Sequence, residues 1–356
     1  MTVRLAIADD LAGMKDAVVA ALGESVEIVE TQASTAPPIF DVVIGSSRAA
    51  LAGAGSKRPA AVRVGLVASL GEASVVDWLP GSADRLLVAA DAIEDALLAA
   101  GWPPGSVLTT GLPVAAGLSA PADVAGARAA AGLPAGNVVV VRPSAVHAWG
   151  LTPLLLQLGL VSSDPCVLFD IGLDAALADQ LREAIPIHDL RAGLFASGEG
   201  HGRALALADV VIGAGTMREV AESLAVGAVT VAVDTDDAGA WSLAAQAGAV
   251  REVSSHGRLA VELDGLLAAE KLAAARVAAR GLGRAGAAGA VADAIVDAAR
   301  GAAEIRAARG RPVGLPAGIE MIGSRAARPS HPEGPKGEPD VEGELAALRE
   351  RLAKGA

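Results

Sequence analysis

The stretch from Asp209 to Asp234 holds the residues best spaced for chemistry: Gly213, Gly215, Thr216, Arg218, Glu219 and Glu222. An apolar run, Val210 to Ile212, leads into Gly213-Ala214-Gly215; Thr216 then opens a helical pattern, and a second apolar run ends at Asp234. This spacing predicts one strand, loop, helix, strand unit. Glycines let backbone N–H groups come close to a ligand, Thr216 is suited to cap the helix, and a helix N-terminus favours an anion, so phosphate is the expected guest. Glu219 and Glu222 fall on adjoining helix faces, so that one of them can accept hydrogen bonds from ribose hydroxyls while the loop holds a diphosphate. The plainer reading leaves the glycines a tight turn and the glutamates solvated.

Other groups fall at the ends of apolar runs. Arg142, Pro143 and Ser144 follow Asn137 to Val141, and a fixed charge at a strand's C-terminal end can pair with a diphosphate. Arg218 can do the same from the helix start. His147 follows the same run and can donate to a phosphate or sugar, or serve structure alone. Asp9 and Asp10 end the first apolar run, where one of them can act as a general base; the reading of Asp10 as the cap of the following helix is preferred. Asp236 and Asp237 open the loop after Asp234. His188, His201 and His256 have no convincing partner in the sequence, His331 falls in a polar tail, and no cluster has metal-ligand spacing.

The elements that must position these groups alternate. Val3 to Ile7, Val26 to Val29, Asp41 to Ile44, Arg63 to Val67 and Arg85 to Val88 are short Val-rich runs separated by helical patterns, which describes a parallel sheet covered on both faces. A second alternation starts at Asn137 and continues through Cys166 to Asp170, Asp209 to Ile212, Val229 to Val233 and Ala249 to Val253, with helical stretches at Ala175 to Ala184 and Ala238 to Ala247. From about Gly257 to Ala308 the pattern is nearly all helical. Residues 1–120 are therefore expected to form one lobe, and residues 121–309 a second lobe with closing helices. Gly310 to Asp340 has the composition of a flexible linker, and Glu342 to Ala353 that of a short amphipathic helix that docks, self-associates or frays.

Composition narrows the class. A net charge of −12 argues against a nucleic-acid or anionic-membrane binder, since both need a concentrated basic surface. Aromatic residues make up only 2% of the chain, so Trp78, Trp102, Trp149 and Trp241 stand out, and each reads first as a packing residue. Cys166 is the single cysteine and reads as a small buried side chain. No apolar run approaches the length of a membrane span, and the expectation is a soluble cytoplasmic protein without a cofactor.

Three stretches resemble GT-B glycosyltransferases. Asp84 to Val114, ending in Thr110-Gly111-Leu112-Pro113-Val114, is similar to the crossing between lobes in the group that contains the peptidoglycan lipid I N-acetylglucosaminyltransferase and the diacylglycerol glycosyltransferases. Ala208 to Asp234 resembles that group's donor-sugar segment, and Asp236 to Val250 the segment after it. Val138 to Ala148, with the Gly215-Thr216-Met217 segment, resembles an uncharacterised GT-B-like family related to the UDP-N-acetylglucosamine 2-epimerases. The resemblance implies two Rossmann-like lobes facing a cleft, no bound metal, and transfer of a sugar from a nucleotide sugar, UDP-linked by preference, to an unknown acceptor. It departs from the family where Ala8 to Gly13 and Arg142-Pro143-Ser144 replace glycine loops. These departures keep two alternatives open: a non-catalytic nucleotide-sugar-binding or assembly subunit, and a nucleotide-sugar epimerase using Asp9, Asp10, Glu219 and Glu222.

Overall fold

The computed structural model describes residues 3–9, 11, 13–23, 26–29, 41–57, 61–71, 77–196, 199–233 and 238–309. Asp10, Asp236, Asp237, His331 and the expected linker and terminal helix lie outside the described residues.

Two six-stranded sheets, parallel throughout, carry the fold. The first contains β1 (Val3–Ile7), β2 (Val26–Ile28), β3 (Val42–Gly45), β4 (Val62–Val67), β5 (Arg85–Val88) and β6 (Val107–Thr109), in the order β2-β1-β3-β4-β5-β6. The second contains β7 (Val138–Val141), β8 (Cys166–Asp170), β9 (Ala192–Phe195), β10 (Val210–Gly213), β11 (Val229–Val233) and β12 (Val250–Val253), in the order β12-β11-β10-β7-β8-β9. Strand order in the second sheet reverses between β7 and β10, which makes a crevice at their C-terminal ends. With helices between the strands, this is an α/β protein of two Rossmann-like lobes, the GT-B architecture.

Position in the sheet explains strand composition. The central strands β7 (Val-Val-Val-Val), β10 and β11 are buried at every residue, while edge strands β2 and β12 place charged residues in solvent. Successive side chains serve opposite faces: Val139, Val141, Val210 and Ile212 join one core of the second lobe, and Val140 and Val211 the other. The edge strand β9 is half-buried along its length and was not expected from the sequence, because Ala-Gly-Leu-Phe carries neither alternation nor β-branching.

The closing helices divide between the lobes. Helix Ala269–Leu282 packs on helix Met217–Val226, whereas Ala287–Arg300 and Ala302–Arg309 return to the first sheet, where Val291, Ile295 and Ala298 share a core with Leu5, Ile44 and Leu66. The final two helices of the segment expected to form the second lobe are thus part of the first. Alanine at the interface lets these helices lie close to the sheet.

The two lobes also meet directly. The backbone N–H of Leu70 donates to Ala240 O at 2.6 Å, that of Leu243 donates to Leu70 O at 2.9 Å, and the Ser69 hydroxyl donates to Ala240 O at 2.8 Å. Trp241 is buried in the shared core beside Leu70 and Met14, and its indole N–H donates to Gly215 O at 3.0 Å. It is an interlobe packing residue and anchors the glycine loop. The expected helix over Ala238 to Ala247 is a 3-10 turn, Ala238–Trp241, followed by Ser242–Gln246.

Candidate functional site

The expected unit after β10 forms as read. Thr216 caps helix Met217–Val226: its side chain accepts from the Glu219 N–H at 3.3 Å, and Glu219 reaches back to the Thr216 N–H in a reciprocal capping box. Gly227, in the left-handed conformation, ends the helix.

The loop amides, however, are already occupied. Glu219 is only 5% exposed, and its Oε2 accepts from the Gly215 N–H at 3.1 Å and the Thr216 N–H at 3.4 Å, while Oε1 accepts from the Ser144 hydroxyl at 2.5 Å. The Ala214 N–H donates to Ser144 Oγ at 3.1 Å. The groups expected to cradle phosphate hold the chain's own carboxylate. Of the two glutamates open to the ribose role, Glu219 is thus committed to the loop, whose Gly215 and Thr216 amides it occupies. It also explains the glycines. A Cβ at Gly213 would lie 2.9 Å from Glu219 Oε2, and at Gly215, where φ is +75°, it would lie 2.6 Å from Ala232 Cβ. A side chain at 215 therefore disturbs the fold itself as well as any ligand.

Glu222, one turn on, faces the crevice from a buried position. Its Oε2 accepts from Arg142 Nη1 at 2.7 Å and lies 3.4 Å from His201 Nε2, and its Oε1 accepts from Arg218 Nε at 3.0 Å. Arg142 stands where β7 gives way to helix Pro143–Trp149, and the extended backbone that Pro143 favours in the residue before it turns the guanidinium toward β10. Its Nε lies 3.8 Å from Glu219 Oε1 and, buried, makes no hydrogen bond among the described residues.

His201 corrects another reading, since it does have partners. It sits on helix Glu199–Ala206 with Nδ1 2.9 Å from Oδ2 of Asp170, the last residue of β8. Asp170 is 3% exposed, and its Oδ1 accepts from the Gly172 N–H at 2.9 Å. Sequence reasoning missed Asp170 altogether. The available signal was a carboxylate closing the apolar run Cys166 to Phe169 at a strand's C-terminal end, beside the sheet's switch point.

These neighbours shift protonation. Burial pushes Glu222 up, but hydrogen bonds from His201, Arg142 and Arg218, with the charge of Arg142, outweigh it and hold the carboxyl at about 2. Burial likewise acts upward on Asp170, and the His201 and Gly172 hydrogen bonds bring it below the usual carboxylate range. Hydrogen bonds to Asp170 and then Glu222 raise His201 above its ordinary value, against burial and Arg142. A depressed carboxylate contributes stability that is complete above its unfolded value and lost as pH falls through the folded one. Glu222 should thus contribute up to ~3 kcal/mol that disappears between 4.5 and about 2. Urea unfolding of wild type and Glu222→Gln over that range checks it: the variant should lose less stability on acidification, and parallel acid transitions would refute the assignment.

The other expected residues fall elsewhere. The carboxylate of Asp9 accepts from the Leu11 N–H at 3.0 Å and from the Ser46 N–H and hydroxyl at 3.0 and 3.1 Å, which ties the ends of β1 and β3 together. The helix after it runs Lys15–Leu22 with Met14 at the N-cap. His147 is exposed on helix Pro143–Trp149 and has no hydrogen bond or ion pair among the described residues. Arg218 is 57% exposed and extends toward the first lobe, where a Cβ on Gly13 would lie 3.7 Å from its Cδ. Between them lies a cavity of about 150 Å³, lined by Gly13, Asp16, Val114, Arg218 and Glu222 among others.

No protein-family model matches the sequence. No curated protein matches it. Solved structures match in shape: MurG of Acinetobacter baumannii at TM-score 0.57 and 14% identity, over 83% of this chain and 100% of that one, and MnaA of S. aureus, in a co-structure with UDP, at 0.55 and 12%, over 86% and 98%. Both likenesses concern the fold. Among the described residues, no helix is long and apolar enough to cross a membrane.

Proposed function

We propose that this chain, a GT-B fold with a buried charged crevice in its second lobe, binds a nucleoside diphosphate sugar, UDP-linked by preference, and serves sugar transfer to an acceptor. One observation carries the reading: Glu222, ionised and buried, stands at the switch point between β7 and β10 with Arg142, Arg218 and His201 around it. Glu222 takes the ribose hydroxyls. Arg218 is the partner that yields, because a pair with one largely exposed member is worth little. With the loop amides committed to Glu219, the diphosphate is left the Met217 and Arg218 N–H groups at the helix start, together with Arg142. MnaA's co-structure with UDP supports the choice of nucleotide.

The cavity beside Glu222 is smaller than the roughly 300 Å³ at which small-molecule sites begin, so the lobes must part at the Leu70 to Ala240 contact to admit the ligand. A second reading, a nucleotide-sugar-binding subunit without catalysis, is favoured by Asp9, whose carboxylate is spent on Leu11 and Ser46.

Calorimetry with the diphosphates of uridine, guanosine and thymidine, with and without sugar, tests the binding step. Glu222→Ala should weaken binding by about ten- to a hundred-fold through loss of a charged hydrogen bond. If a folded wild type binds none of them at millimolar concentration, the site assignment fails. Acceptor-free hydrolysis of a bound nucleotide sugar would argue for the catalytic reading over the second one.

A further inference from the structure

We propose that the proton of His201 is part of the ligand-binding equilibrium: His201, oriented by Asp170, joins Arg142 as the positive charge that a dianionic diphosphate needs at this crevice. The inference rests on the nucleotide-binding reading above and adds to it the group that makes binding pH-dependent.

Charge balance motivates it. Three carboxylates, those of Asp170, Glu219 and Glu222, meet here with two guanidiniums, those of Arg142 and Arg218. Arg218 is largely exposed, so among the described residues of this cluster Arg142 is the single buried cation unless His201 is protonated. With a neutral imidazole the cluster carries an excess negative charge, and an incoming dianion adds to it. With an imidazolium the six groups balance. A charge this close in a buried site is weakly screened, so the difference reaches the ligand.

Geometry identifies the titrating atom. Nδ1 faces Asp170 Oδ2 at 2.9 Å and therefore carries a hydrogen in both protonation states, which leaves Nε2 to gain or lose one. Nε2 faces Glu222 Oε2 at 3.4 Å and Arg142 Nη1 at 3.3 Å. Protonated, it donates to Glu222, beside Arg142, which donates to the same oxygen. Unprotonated, it can only accept, from Arg142, and draws that guanidinium away from its other duties. Among the described residues, the charged groups facing the ring are thus Asp170 from β8, Glu222 from helix Met217–Val226 and Arg142 from the end of β7. Glu219 and Arg218 stand one step behind, paired with Arg142 and Glu222, and Arg203 on the ring's own helix is exposed. The two carboxylates in contact raise the imidazole's proton affinity, which moves the change above the ordinary imidazole range.

Calorimetry on the full chain reads the linkage, with UDP-glucose and UDP-N-acetylglucosamine as probes, because a diphosphate esterified at both ends keeps its charge over the range from about pH 6 to pH 9. Two buffers of different ionisation enthalpy report proton uptake as a difference in heat. Wild-type affinity should fall as pH rises through the His201 transition, by as much as about tenfold per pH unit, with buffer-dependent heat. His201→Gln should bind at the weaker, high-pH level of the wild type and show no such heat. Asp170→Asn should move the fall to lower pH. Binding that is flat with pH in the wild type, or a His201→Gln protein that keeps the wild-type slope, overturns this inference alone. Failure to bind either probe at any pH overturns the nucleotide-site reading and this inference with it.

Discussion

Arg142→Ala should cost about 3–5 kcal/mol of folding stability at neutral pH and remove measurable nucleotide binding, because it takes the buried cation from a site that keeps its buried carboxylates. Glu222 loses its 2.7 Å donor and Glu219 loses the guanidinium 3.8 Å away, which leaves His201, when protonated, as the buried cation of this cluster among the described residues. The sign with pH is distinctive. Protonated carboxyls need no counter-charge, so the penalty should shrink as pH falls below 4.5 toward the range where Glu222 protonates in the native protein. Urea unfolding at neutral and acid pH measures both. Arg142→Lys should recover part of the stability, since a point charge replaces the fork but cannot span Glu222 and Glu219 together. A neutral-pH loss below about 1 kcal/mol in the alanine variant would show that the charge cluster is not the tightly coupled unit described.

The second large effect lies at the opposite edge of the same sheet's central strands, β7 and β10. Asp209, immediately before β10 and 2% exposed, accepts from the Val138 N–H at 2.9 Å and pairs with Arg128 at 2.8 Å and with Arg276. Those arginines come from helices Val124–Ala130 and Ala269–Leu282, so a single carboxylate ties two helices to the N-terminal edges of β7 and β10. Asp209→Ala removes the counter-charge of two mostly buried guanidiniums, which keep the Leu207 and Gly227 carbonyls, and the acceptor of a strand amide, and should cost about 3–5 kcal/mol. Asp209→Asn can keep the Val138 bond but not the charge, and should fall between. Nucleotide affinity of whatever remains folded should be unchanged, because the clamp is at the other end of the strands from the crevice. A variant that keeps stability but loses binding would contradict this division of labour.

Local signals were sufficient wherever the physics is local. Val-rich runs named most strands, because a central parallel strand is buried on both faces and tolerates little else. Thr216 and the glycines around it marked the helix start, since capping and left-handed backbone depend on neighbours in sequence. Two successive alternations, with the resemblance in Asp84 to Val114, were enough for two lobes of one architecture. The short edge strand β9 escaped, because an edge that is half in solvent imposes no strong pattern.

What the tertiary structure alone decided is who pairs with whom. Asp170 and His201 are 31 residues apart, and Arg142 and Glu222 are 80 apart. They meet only because the sheet places β7 between β8 and β10, a strand order that no spacing in the sequence records. The same order explains why the glycine loop is no empty cradle: Ser144 after β7 and Glu219 after β10 close over it together. A carboxylate near a row of N–H groups reads from sequence as a partner for a ligand. Whether it turns outward to the ligand or inward to the amides is settled by which buried donors would otherwise go unpaired, and here the inward turn of Glu219 leaves Glu222 to face the crevice.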